Sequence, residues 1–190
     1  GMTEMSPLRT TNPAGGHRQK YSSEEFAILR TNVGTPIWGV DIKITDDDNN
    51  ELPWDGAAFG ALKVRGPWVC SSYFKDSESD AHAEDGWFET GDVATVSATG
   101  FVSITDRTKD VIKSGGEWIS SIEVENVATG HAKVAEAAVI GRVHDKWGER
   151  PLLIVVKAPG EDPSPDELKA YLEGKIAKWW IPDDVQFIDD

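Results

Sequence analysis

The stretch Arg107-Thr108-Lys109-Asp110-Val111-Ile112-Lys113-Ser114-Gly115-Gly116 decides the fold, because the apolar period changes across it. Before it, apolar residues recur with period two. Val40-Asp41-Ile42-Lys43-Ile44 and Leu62-Lys63-Val64-Arg65-Gly66 alternate as half-buried strands do. Val93–Val96 and Phe101–Ile104 flank Ser97-Ala98-Thr99-Gly100, which predicts a hairpin. Residues 36–105 therefore read as β-rich, and residues 1–35 as loop with a short helical turn at Phe26–Leu29. After the stretch, helix starts appear. Ser120 and Glu123 have capping-box spacing, and with Gly130 as C-cap they predict a helix over 121–129. Ser164-Pro165-Asp166-Glu167 is a second box with Pro at the first helical position. Leu168, Tyr171, Leu172, Ile176 and Trp179 share one helical face, so this helix is expected to run on until Pro182. Val134–Val143, Leu152–Ala158 and Val185–Ile188 are expected strands. The fold class is α+β, with a β-rich part over 1–106 and a small α+β part over 107–190.

Working outward, 190 residues allow one domain or two small ones. The chain carries 19 Lys+Arg against 33 Asp+Glu, a net charge of −14. Such acidity argues against a nucleic-acid partner, since phosphate neutralisation needs a basic face. The longest strongly apolar run, Leu152–Val156, is too short for a transmembrane segment. No signal peptide is visible, and one cysteine, Cys70, excludes an internal disulfide, so a cytoplasmic protein is expected. Gly1-Met2 reads either as a remnant ahead of an initiator or as sequence from inside a longer protein. Phe187–Asp190 stops in mid-pattern.

Three constellations stand out against this background. Residues 1–106 hold 8 basic and 17 acidic groups, yet Arg107–Lys113 alone holds three cations and one anion. Two glycines follow, which let a backbone approach a ligand and turn N–H groups outward. The segment reads as a phosphate-binding turn or as a solvated basic joint. The second constellation is Asp85-Gly86-Trp87-Phe88-Glu89-Thr90-Gly91-Asp92. A carboxylate exposed after a Thr-Gly turn accepts two hydrogen bonds from a diol such as a ribose, or else satisfies local N–H groups. The third is Gly1-Met2-Thr3-Glu4, where a hydroxyl and a carboxylate suit a phosphate oxygen and Mg²⁺. The acidic run Asp46–Asn50 lacks the glycine and distal glutamate of a calcium loop and reads as a solvated turn. His17, His82, His131 and His144 have no metal-ligand spacing, and one cysteine rules out a cysteine-rich zinc site. Ser114 lacks the flanking glycines of a nucleophile elbow, so a hydrolase is not expected.

In order and spacing, these blocks resemble the adenylate-forming acyl-CoA synthetases, the AMP-binding acid–thiol ligases. Gly1-Met2-Thr3-Glu4 resembles the family's Tyr-Gly-x-Thr-Glu motif without its Tyr. Gly86-Trp87-Phe88-x-Thr90-Gly91-Asp92 resembles the ribose-binding block. Asp106-Arg107-x-Lys109-Asp110-x-Ile112-Lys113-x-Gly115-Gly116-Glu117-Trp118-Ile119-Ser120 resembles the hinge and the loop after it, in wording similar to the fatty-acyl branch.

The resemblance implies a C-terminal fragment of an ATP-dependent fatty-acyl-CoA ligase. Residues 1–106 would be the β-rich, small β-barrel-like end of the large AMP-binding domain, and 107–190 a mobile C-terminal domain. A carboxylic acid, ATP and CoA would be substrates, with Mg²⁺ as the accompanying ion. Thr3 would hydrogen-bond phosphate and Glu4 hold Mg²⁺. Asp92 would take the ribose hydroxyls with Arg107 beside it. Lys109 would be the hinge, Lys113 and Trp118 would approach the nucleotide, and Gly115 and Gly116 would line the pantetheine path of CoA. The family's phosphate loop lies upstream of Thr3, and its catalytic lysine lies beyond a segment like Asp183–Ile188; both are missing here. Lys175 and Lys178 do not replace that lysine, so the chain alone is expected not to adenylate acids. A stand-alone nucleotide-binding or interaction domain, and an adenylation enzyme loading a carrier protein, are the alternatives. A homodimer is a further option for the full-length enzyme.

Overall fold

The computed structural model describes residues 1–6, 10–12, 22, 23, 26, 32–75, 82 and 86–189. Ala27–Leu29 of the expected helical turn lie outside the described residues, as do His17, Asp85 and Asp190. The chain forms two compact units, Gly1–Thr108 and Lys109–Asp190.

The first unit opens with a 3₁₀ turn, Thr3–Met5. Strands β1 (Thr10–Thr11) and β2 (Thr35–Pro36) make a small antiparallel pair. The main sheet is antiparallel, in the order β3 (Asp41–Thr45), β4 (Phe59–Arg65), β5 (Phe88–Val96) and β6 (Val102–Arg107). The expected hairpin is there: Ser97 and Gly100 close the β5–β6 turn, with Gly100 at φ +82. Ile42, Ile44, Leu62, Val64 and Phe88 fill one face together with Met5. Each such full burial contributes about 1.5–3 kcal/mol. Alternation puts Lys43 and Lys63 directly opposite each other on the other face. Two like charges there would repel. Glu89 offsets Lys63 at 2.9 Å, and the Trp87 ring lies 4.5 Å from Lys43 Nζ.

The barrel-like closure expected for this part is not what forms. Among the described residues β3 and β6 do not pair, and the sheet is open. Four strands are too few to curl round and meet, whereas small barrels need five or more.

The second unit begins with the hairpin β7 (Ile112–Ser114) and β8 (Glu117–Ile119). Helix α1 (Ser121–Thr129) follows, then strands β9 (Val134–His144) and β10 (Gly148–Lys157), helix α2 (Pro165–Leu172) and strand β11 (Asp184–Ile188). β9 runs antiparallel along one edge of β10. The other edge takes β7 at Gly148 and parallel β11 from Leu152 onward. Buried Leu153 lies between Val139 and Val185, a row across three strands. α1 packs on β9, and α2 on α1 and β11.

Both capping boxes form at their N-caps: Glu123 N–H donates to Ser120 Oγ at 3.2 Å, and Glu167 N–H to Ser164 Oγ at 3.1 Å. Gly130 caps α1 but at φ −70, so it does not supply a left-handed turn. Its lack of a side chain matters instead because a Cβ there would lie 3.2 Å from the Tyr171 hydroxyl. The second helix is shorter than its apolar period predicts. It ends at Leu172, because Gly174 adopts φ +75 and turns the chain out of the helix. Ile176 is still buried, but a 3₁₀ turn over Lys178–Trp180 puts Trp180 inside and leaves Trp179 at the surface.

Candidate functional site

In the first unit the site is built on a bulge in β5. Ala61 pairs with Val93 and Lys63 with Glu89, so one residue of β4 faces three of β5, Thr90 to Asp92. Gly91 has φ +72, which glycine adopts without strain. Thr90 Oγ1 donates to Leu62 O at 2.9 Å and accepts from Asp92 N–H at 3.2 Å, stitching the bulge to β4. Thr108 N–H donates to Gly91 O at 3.0 Å. On the other side of β5, Asp92 pairs with Arg107 across the β5–β6 ladder, in which Thr105 is an extra residue between the Asp106–Val93 and Ile104–Ala94 pairs. Their side chains meet at 2.8 Å, with the carboxylate 10% and the guanidinium 56% exposed. The carboxylate is therefore largely buried, not exposed as the Thr-Gly turn suggests, because the Arg107 cation supplies the counter-charge it needs there; its remaining lone pairs can accept hydrogen bonds from a diol.

Thr3 and Glu4 sit on the opening 3₁₀ turn, anchored by fully buried Met5. Thr3 is exposed. Glu4 Oε1 accepts from the Tyr73 hydroxyl at 3.1 Å, and Glu4 O from Cys70 N–H at 2.8 Å. Burial, and then the Glu4 carboxylate, push the Cys70 thiol above its ordinary value. Among the described residues no cluster of three or more His, Cys, Asp or Glu could enclose a metal. A single glutamate fits an ion that arrives on a polyphosphate, because Mg²⁺ keeps most of its other ligands as water and phosphate oxygen.

A cavity of about 420 Å³ in this unit, lined by Arg65, Cys70, His82 and Trp87 among others, has no signature in the sequence. Cys70 Sγ and His82 Nε2 are 3.6 Å apart in it. Only the structure could pair them, since their spacing matches no ligand motif.

In the second unit Lys109 is the first residue, on an exposed turn. Lys113 and Trp118 are cross-strand partners, with Nζ 5.2 Å from the ring centroid. Gly115 and Gly116 form the two-residue hairpin loop at φ +61 and +86, the pair of positive values that a type I′ turn demands. A Cβ on Gly115 would come within 2.8 Å of the Trp147 ring, while one on Gly116 would meet nothing within 4 Å. The Trp147 ring therefore lies against one side of the tip, and the Gly116 side stays open. Trp147, partly exposed and 4.4 Å from Lys146 Nζ, was not singled out by sequence. The signal that could have found it is an aromatic beside a glycine, Trp147-Gly148, at the turn between two expected strands.

Among the described residues no helix is long and apolar enough to cross a membrane. Residues 123–190 match the family described as AMP-binding enzyme C-terminal domain. The whole chain is 57% identical to a 3-methylmercaptopropionyl-CoA ligase of Ruegeria lacuscaerulensis and 46% identical to a medium-chain-fatty-acid–CoA ligase of Ectopseudomonas oleovorans. It spans about 35% of the length of each. The fold is similar to that of ATP-bound MatB from Rhodopseudomonas palustris, with TM-score 0.78 and 32% identity over the whole chain and 36% of the MatB chain.

Proposed function

Because this chain belongs to the adenylate-forming acyl-CoA ligase family, we propose that it supplies the ribose clamp and the thiol-path hairpin of an ATP-dependent fatty-acyl-CoA ligase. The reaction has two halves. A carboxylate oxygen attacks the α-phosphorus of ATP, forming acyl-AMP and releasing pyrophosphate. The CoA sulfur, having lost its proton, then attacks the acyl carbon, and AMP leaves. Most of the protein's task is positioning and charge neutralisation.

The observation that carries this reading is the 2.8 Å Asp92–Arg107 pair on its bulge. Asp92 accepts from the two ribose hydroxyls, and Arg107, 2.8 Å away, orients the carboxylate. Thr3 hydrogen-bonds a phosphate oxygen, and Glu4 holds the Mg²⁺ that accompanies ATP. Lys113 adds positive charge toward the nucleotide, with Trp118 steadying it across the hairpin. Lys109 is the hinge position. Gly115 and Gly116 leave room for the pantetheine arm. An acid with a flexible, largely apolar chain is the proposed substrate, in line with the acids named for the two CoA-ligase relatives.

The test is ATP–pyrophosphate exchange by the intact ligase that carries this chain. Asp92→Asn should raise the KM for ATP about a hundredfold, as expected for losing hydrogen bonds to a charged acceptor. An unchanged KM refutes the ribose role. Octanoate and 3-(methylthio)propionate, compared in the same assay, discriminate the two acyl types.

A further inference from the structure

We propose that Arg150 is a positioning residue that couples the Gly115–Gly116 hairpin to the Trp179–Asp183 segment, and that this coupling holds the hairpin in place for thioester formation. The second clause rests on the function proposed above; the coupling itself does not.

A guanidinium offers five N–H donors in one plane. The structure gives Arg150 five hydrogen bonds to four acceptor atoms. Nε and Nη2 donate to Asp183 Oδ1 at 3.0 and 2.8 Å. Nη1 donates to Trp179 O at 2.8 Å and to Ser114 Oγ at 3.3 Å, and Nη2 also to Ile181 O at 3.2 Å. The side chain is only 14% exposed, and Asp183 supplies the counter-charge that a largely buried cation requires. Lysine, with three donors on one nitrogen, cannot span this set.

Ser114 is the last residue before the glycines. Its neighbours are tied to the start of the same strand, since Lys113 N–H donates to Glu149 Oε2 at 2.9 Å and Gly115 N–H to Trp147 O at 2.8 Å. Arg150 reaches in two directions: to Ser114, and to a segment lying 29 to 33 residues further along the chain. A shift in either partner is felt by the other.

The deciding variant is Asp183→Asn, because Asp183 reaches the hairpin through Arg150. Amide exchange in the 190-residue chain should quicken about tenfold or more at Lys113 and Gly115, the size of one charge-assisted hydrogen bond. Arg150→Lys should do the same. Ser114→Ala, which removes one hydroxyl and leaves the rest of the fold intact, should quicken the hairpin amides and leave those of Trp180 and Ile181 protected. If Asp183→Asn loosens Trp180 and Ile181 while Lys113 and Gly115 stay as they were, the coupling is wrong. In the intact ligase, Asp183→Asn should raise the KM for CoA about tenfold, with ATP–pyrophosphate exchange within about twofold. A loosened hairpin with an unmoved KM for CoA upholds the coupling and overturns the reading of the hairpin as the thiol path.

Discussion

The two glycines of the hairpin differ at the residue scale. Gly115 has φ +61 and a tryptophan ring against it; Gly116 has φ +86 and open space. Gly116→Ala should cost about 1–2 kcal/mol, the strain of an L-residue in the left-handed region. Gly115→Ala should cost more, because the Trp147 ring must also move. Urea midpoints of the two variants decide it, and equal losses would show that the ring yields freely. Cys70 is a second residue-scale case. Its raised thiol should alkylate slowly at neutral pH, and Glu4→Gln should speed it by removing a nearby negative charge. No change in rate would place Glu4 away from the thiol. Neither contact was legible in the sequence, because Glu4 and Cys70 are joined by the fold alone. Asp92 was legible as a ligand candidate, from the Thr-Gly turn before it. The bulge that aims it was not, since a register shift depends on the partner strand.

Helix α2 is held at its start by Lys133, whose ammonium meets Glu167 at 2.9 Å. Lys133 lowers the Glu167 carboxyl below its ordinary value of 4.5, and Glu167 raises Lys133 above 10.5. The sign follows from each shift. Glu167's contribution is complete above its unfolded value and is lost as pH falls through its lowered folded value. Lys133's contribution is complete below its unfolded value and is lost as pH rises through its raised folded value. The urea midpoint should therefore fall less between about pH 6 and about pH 3 in Lys133→Met than in the wild type. An identical fall in both would show that the pair adds nothing. Element starts were easy to read here, because Ser120 and Ser164 make local bonds three residues ahead. Element ends were harder. The apolar period runs on through Ile176 and Trp179, and only the φ of Gly174 reveals that the helix has already stopped. Strand number is harder still, which is why an open four-stranded sheet was read as barrel-like.

The whole chain consists of two units meeting at Thr108 and Lys109, with Lys109 on an exposed turn. Limited trypsin digestion should cut first there and leave two fragments that keep their circular dichroism; early cuts spread evenly along the chain would contradict this. The chain alone should release no pyrophosphate from ATP in the presence of a fatty acid, and measurable release would show that these residues suffice. Arg150 illustrates why whole-molecule ties escape a sequence reading. Two residues ahead of the apolar run Leu152–Val156, it looks like one more surface cation, and nothing local marks the partners at 114 and 179–183.

The parallel pairing of β10 with β11 bears on how the chain is made. Residues 158–183 must be synthesised after β10 before its partner strand exists, an interval on the order of one to five seconds at ~5–20 residues per second. Through that time the edge carrying Leu153 and Val155 stands unpaired, a template for another nascent chain. A ribosome that stops before Asp184 therefore leaves a sticky product, and a stop codon placed there should raise the aggregated share of the translation product.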